Sequence, residues 1–407
     1  MSSTFQYKVY RSTIHGPHPT SHDLRSTPEG PKPLAPATIP VMLTVENCRQ
    51  RQQRLLRRME RERLDVVLLA NPKTIYYFSG ALTDPMLPQL FILNSSGGSL
   101  LITNQEPKQA AADRVETYTG YTIERPFNRT TMVREIAAVL RSVLLERQAT
   151  GMEYDSLPCM LAPICDRPTL DVTPTIDDMR QIKDPDELDS IRDTIRLAEA
   201  GYAAVHRRLE PGMTEFQVYS LFHQAVVEHA QTSVDLRGDF ACGTRAIRGG
   251  GPPTDRRLNQ GDLYILDIFP FYNGYHCDLC RTFIVGAATD LQRETWGVVN
   301  EAHKLVERLI RPGVAGRLVY QELRVFLDRF QPTTGSFWHH AGHGFGMNGW
   351  EFPWLTPGSD HVIQEGEVLA VEPGVYGECL NGGIRLEHNY LVGKDGITAL
   401  DSYPLEL

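Results

Sequence analysis

The sequence predicts an α+β protein built from two domains, and three observations carry that prediction. Residues 45–172 alternate short apolar runs with amphipathic stretches, the pattern of an α/β layer. From Asp184 a helical stripe of Leu188, Ile191, Ile195, Ala198, Tyr202, Val205 and Leu209 runs uninterrupted at spacings of three and four. Beyond Ala230 the chain becomes strand-rich with long loops, broken by one helix at about 291–310. Helices gathered around an antiparallel sheet define an α+β domain, here assigned to 173–407. At 407 residues the chain exceeds what one compact core holds.

Taken in order, residues 1–44 are rich in Pro, Ser, Thr and His without a hydrophobic period, and Pro28-Glu29-Gly30-Pro31-Lys32-Pro33 cannot continue a helix or a central strand. They read as an extended arm, draped over the body or a partner subunit, or as a loose tail. Residues 48–63 carry Leu55, Leu56 and Met59 as the apolar stripe of an amphipathic helix. A strand at 64–70 ends at Asn71-Pro72, and strands at 90–93 and 99–103 flank Gly97-Gly98. A helix follows at 130–146. In the second domain Asp184, Pro185 and Glu187 form a capping box with proline at the first helical position, and Pro211-Gly212 stops that helix. Residues 214–230 form the next helix.

Composition narrows the function. A net charge of −9 argues against a general nucleic-acid binder. No apolar run reaches the roughly 18–20 residues of a membrane helix. Seven scattered cysteines suggest a reducing compartment, and the N-terminus has no apolar signal region, so the expectation is a cytoplasmic protein.

The chemistry concentrates around a hairpin. Asn273-Gly274 is a strong two-residue turn signal between residues 261–269 and the return strand at 276–285. A two-residue turn pairs Asp267 with Cys280 and makes Asp278 the diagonal neighbour on the same face. Two carboxylates that close repel unless one is protonated or a cation lies between them. Downstream stand His343 in a glycine-rich segment, Glu372 before Pro373-Gly374, and Glu387. Four carboxylates and one imidazole are a hard, oxygen-rich set that suits a pair of Mn, Co, Fe or Zn ions. Taken singly, an acid in a strand or before a turn is also an ordinary satisfied polar group. Cys277-x-x-Cys280 lies within a strand, whereas redox pairs sit at helix N-termini.

The order and spacing of Asp267, Asp278, His343, Glu372 and Glu387 resemble the methionine aminopeptidase, prolidase, aminopeptidase P and creatinase family over about residues 180–400. Residues 71–80 resemble the smaller N-terminal domain of the creatinase and prolidase branch. The resemblance implies a C-terminal pita-bread domain behind a creatinase-like α/β domain at 45–172, and a homodimer. It implies two divalent metal ions, manganese first among the choices, with Asp267 chelating one, Asp278 and Glu387 bridging both, and His343 and Glu372 completing the other. It further implies a metal-bridging hydroxide as nucleophile, Glu372 as general base, Arg385 as an orienting group, and His339 and Tyr376 on the substrate side.

Two departures bear on the substrate. Gly250, in Gly249-Gly250-Gly251, stands where these peptidases carry a substrate histidine, and Trp350 stands where they carry another. The triple glycine leaves space and backbone N–H groups to replace a donor. His276, His361 and His388 are further candidates, and of His339 and His340 one is expected to be structural. The resulting expectation is a metallohydrolase of the Xaa-Pro aminopeptidase or dipeptidase type acting on a small peptide. The alternatives are a metal enzyme acting on a non-peptide small molecule, and a non-catalytic binding module.

Overall fold

In the computed structural model, residues 42–144, 148–165 and 168–407 are described. Most of the arm assigned to 1–44, and the end of the helix placed at 130–146, lie outside these residues.

The N-terminal layer runs α1 (Val45–Glu62), β1 (Val66–Leu69), α2 (Pro72–Ser79), β2 (Leu90–Asn94), β3 (Ser99–Thr103), β4 (Arg114–Thr117), α3 (Arg129–Val143), β5 (Thr150–Met152) and β6 (Leu170–Asp171). Its mixed sheet has the order β4-β3-β2-β1-β5-β6. Every residue of β1 is buried, as expected for a central strand covered on both faces. Residues after the predicted 64–70 strand form α2 because Asn71 caps it, accepting from the Lys73 amide, and Pro72 fits the first turn.

The second part opens with α4 (Thr173–Gln181), α5 (Pro185–Arg208) and α6 (Glu215–Ala230). The capping boxes at Asp184/Glu187 and Thr214/Gln217 are both formed. Strands β7 (Asp235–Cys242), β8 (Leu263–Tyr272), β9 (Tyr275–His276) and β10 (Leu279–Ile284) follow, then α7 (Asp290–Leu309) and α8 (Gly316–Asp328). Strands β11 (Gly342–Gly344), β12 (Glu351–Leu355), β13 (Val368–Val371), β14 (Gly374–Gly377), β15 (Gly382–Arg385), β16 (His388–Val392) and β17 (Ile397–Ala399) complete the chain. They form antiparallel sheets ordered β10-β8-β7, β12-β11-β13-β16-β17 and β14-β15.

The expectation of a single helix after Ala230 is corrected: α8 follows α7. Its buried Val319, Tyr320, Leu323 and Leu327 keep a helical period, but Ala315 supplies no side-chain cap to announce the start. Helix α4 was also not anticipated; it too lacks a side-chain cap.

The hairpin matches its expected register. Asn273 and Gly274 both have positive φ, 50° and 87°, as the favoured two-residue turn requires, and Asp267 lies opposite Cys280. The ladder breaks at Cys277-Asp278, between β9 and β10. Beneath the hairpin lies a buried ionic knot. Arg51 of α1, fully buried, pairs with Asp184, Asp186 and Glu187 at the start of α5, and Tyr275 donates to Glu187 at 3.0 Å.

A second ionic link ties α4 to β12. Glu351 pairs with Arg180 and, at 3.2 Å, with Lys183. Burial alone would raise the Glu351 carboxyl, but the two cations outweigh it and hold the group down from 4.5 to about 2. A group depressed on folding stabilises above its unfolded pKa, and the contribution disappears as pH falls through the folded value. Glu351→Gln is therefore expected to cost roughly 3 kcal/mol at pH 7. In urea denaturation the gap between wild type and variant should close between about pH 4.5 and 2; a gap independent of pH would contradict this account.

Candidate metal centre

Strand alternation builds the floor. Register pairs Asp235 with Phe271, Arg237 with Phe269, and Asp239 with Asp267. Because side chains alternate with a period of two, the face of β8 bearing Asp267 continues through Phe269 and Phe271. Asp278 comes from the break between β9 and β10. Asn389 holds that break: Asp278 N donates to its Oδ1 at 3.3 Å, and its Nδ2 donates back to the Asp278 carbonyl.

His343 lies on β11, Glu372 directly follows β13, and Glu387 sits between β15 and β16. Arg281, fully buried, anchors this last segment by donating to the Glu387 and Cys280 carbonyls at 2.5 and 3.0 Å and to Asp401 at 2.7 Å. His343 Nδ1 lies 2.8 Å from the Gly344 carbonyl, which leaves Nε2 facing Asp278 (3.5 Å) and Glu372 (3.7 Å).

The five residues singled out by spacing thus converge, all buried. Donor atoms of Asp278, His343 and Glu387 lie within 4.8 Å of one another. Asp267 stands at the edge of that group, its Oδ2 held by Arg385 Nη2 at 2.5 Å. Glu372 also meets His339 and His340, at 3.8 and 3.0 Å. Both histidines face Glu372, His339 with its Nδ1 held 2.7 Å from the His340 carbonyl. The sequence reading gave His340 no role here. His339 Nε2 also lies 2.9 Å from the Tyr376 hydroxyl, which accepts from Arg385 at 3.2 Å.

The electrostatics are those of crowded acids. Burial, then the charge of neighbouring carboxylates, raises Asp267 to about 7 despite Arg385. Burial and the same crowding hold Asp278 and Glu387 far above the usual carboxylate range. Glu372 behaves oppositely: burial would raise it, but the His340 hydrogen bond and the three nearby imidazoles bring it to about 2. Asp267 Oδ1 and Glu387 Oε2 are buried without a hydrogen-bond partner. Buried polar atoms normally have one. Orphaned oxygens facing a cluster of acids and an imidazole fit divalent cations.

The two departures take concrete form. The space at Gly250 is filled by the Asp239 carboxylate, and the Gly249 and Gly251 amides already donate to Ala246 and Asp239, so those two glycines offer no spare donor. Asp239 was missed in the sequence, although Asp235-Leu236-Arg237-Gly238-Asp239-Phe240 alternates as a strand should. His361 and His388 are engaged with Glu367 and Asp401. Trp350 is 63 % exposed, with its ring 6.4 Å from that of His343 and 6.5 Å from that of Phe269. It walls a cavity of about 750 Å³ together with Phe269, Phe271, Tyr76, Lys73 and His276. Cys48, Cys159, Cys242, Cys277, Cys280 and Cys379 are free thiols.

Residues 189–394 match the family profile "Metallopeptidase family M24", and residues 51–182 match "Creatinase/Prolidase N-terminal domain". The chain is 25 % identical over 363 residues to an Xaa-Pro dipeptidase of Pyrococcus furiosus, covering 88 % of this chain and 99 % of that protein. Among solved structures, it resembles the prolidase from Pyrococcus horikoshii OT3 with a TM-score of 0.76 at 24 % identity, over 88 % of this chain and 99 % of the other. It resembles an Xaa-Pro dipeptidase from Bacillus anthracis with a TM-score of 0.77 at 23 % identity, over 89 % and 99 %. With a profile match spanning half its length, a creatinase-like N-terminal domain and a pita-bread second half, the chain belongs to metallopeptidase family M24.

Proposed function

We propose that this enzyme hydrolyses the C–N bond of small Xaa-Pro peptides, using two divalent ions, manganese first among them, held by Asp267, Asp278, His343, Glu372 and Glu387. The observation that carries the reading is the convergence of five buried donors, two of whose oxygens have no partner. When bound, such ions supply Lewis acidity and lower the pKa of water toward neutrality.

The chain's own residues do the rest. Glu372 takes a proton, with His339 and His340 beside it at 3.8 and 3.0 Å. Arg385 fixes Asp267 and, through the Tyr376 hydroxyl, the His339 ring. Tyr376 stays protonated, because burial pushes its hydroxyl far up, and on the substrate side its O–H donates to His339 Nε2. The assignment extends to a homodimer in a reducing, cytoplasmic setting; among the described residues no helix is long and apolar enough to cross a membrane.

A second reading, a non-peptide small molecule as substrate, is favoured by the aromatic cavity beside the centre. Trp350, Phe269 and Phe271 line it, with no histidine at 250 or 350.

Elemental analysis of protein purified without chelators is expected to find about two transition-metal ions per chain. Asp278→Ala should lose them. No metal after incubation with Mn, Co or Zn would sink the reading, and a metal-loaded enzyme inert on Xaa-Pro dipeptides would shift it to the second substrate class.

Acid crowding predicts a stability signature as well. Carboxylates raised on folding bind more protons folded than unfolded, so the chelator-treated protein should lose stability as pH rises from about 4 to about 7. Added Mn should abolish that slope. Asp278→Asn should stabilise the chelator-treated protein at pH 7 by about 1–4 kcal/mol while removing its Mn-induced rise in Tm. Thermal denaturation with and without Mn checks both, and a destabilised Asp278→Asn variant would count against the crowding account.

A further inference from the structure

We propose that Asp239 is a positioning residue of this centre, and that Gly250 is glycine because the Asp239 carboxylate occupies its side-chain space. The proposal rests on Asp267 being a metal ligand.

Three observations carry it. Asp239 lies directly across the β7–β8 ladder from Asp267. Its Oδ2 accepts from Arg385 Nη2 at 2.7 Å, and the same nitrogen donates to Asp267 Oδ2 at 2.5 Å. One guanidinium nitrogen is thus shared between two carboxylates on neighbouring strands. Third, Asp239 Oδ1 accepts the Gly251 amide at 2.8 Å, and a Cβ at Gly250 would sit 2.0 Å from Asp239 Oδ2.

The charge arithmetic explains the need. Arg385 facing Asp267 alone could swing toward whichever oxygen of that carboxylate it reached, including the one wanted by a cation. Held from behind by Asp239 and by the Gly249 carbonyl at 2.9 Å, it engages Oδ2 only, and Oδ1 is left without a partner. An Arg fork fixed on both sides is rigid in a way a lysine would not be. The carboxylate that does this has a definite place, pinned by the Gly251 amide and by Arg385. Any side chain at 250 must displace it, so the glycine at 250 and the carboxylate at 239 fit only together. Asp239 keeps 31 % of its side chain exposed.

The test separates positioning from shape. Asp239→Asn keeps the volume and can still accept from Gly251, but it loses the charge that holds Arg385. We expect the variant to melt within a few degrees of wild type, to bind Mn about tenfold more weakly by calorimetry, and to lower kcat on an Xaa-Pro dipeptide about tenfold with KM little changed. Gly250→Ala should weaken Mn binding similarly. The double variant Asp239→Ala/Gly250→Ala should be no worse than Asp239→Ala alone, because the second substitution then meets no carboxylate. Unchanged Mn affinity in Asp239→Asn, or additive losses in the double variant, would overturn the role of Asp239 and leave the metal centre standing. Failure of the wild type itself to bind Mn would overturn the metal-centre reading and this role with it.

Discussion

Four carboxylates confined with one imidazole in a water-poor volume are the constraint around which this molecule is arranged. Each buried anion raises the cost of the next, and Asp267, Asp278 and Glu387 all respond by holding their protons more tightly. Without a cation the cluster opposes folding. The surrounding architecture is what keeps it together regardless. Arg281 of β10 holds the Glu387 segment by its carbonyl, Asn389 closes the break at Asp278, and Arg385 spans Asp267 and Asp239. Binding energy from divalent ions and folding energy are, in such a site, two sides of one equilibrium.

Much of this was legible in the sequence, for physical reasons. The hairpin register followed from Asn273-Gly274, since only a few residue pairs accept two positive φ angles in succession, and that register alone placed Asp267 opposite Cys280. The capped helices α5 and α6 announced themselves through side chains that satisfy free amides. Helices α4 and α8 begin without such caps, so only a short apolar period marked them. In the site, the ligand types were legible and the resemblance supplied Arg385, but Asp239 and His340 were not. Asp239 reaches Arg385 across 146 positions and His340 reaches Glu372 across 32, and no local pattern encodes contacts of that range.

The two positions that depart from the peptidase pattern bring different groups to the site. At Gly250 the site gains an acid, and at Trp350 it gains a large ring that packs between His343 and Phe269. The same strand face passes from the acids at Asp267 and Asp239 to Phe269, Phe271 and Arg237 within a few residues. Reactive and apolar surfaces are therefore neighbours by virtue of the strand period, and a substrate bound along this face meets both.

The link between Glu351 and the pair Arg180 and Lys183 has an effect beyond its strength. Glu351 is the residue next to Trp350, so the cavity's aromatic wall is attached, one peptide away, to helix α4. Lys73 and Tyr76, which line the same cavity, belong to α2 of the N-terminal layer. The cavity lining is thus tied to α2 of the N-terminal layer and, through Glu351, to α4 at the start of the second part, while β8 contributes Phe269 and Phe271 to the same lining.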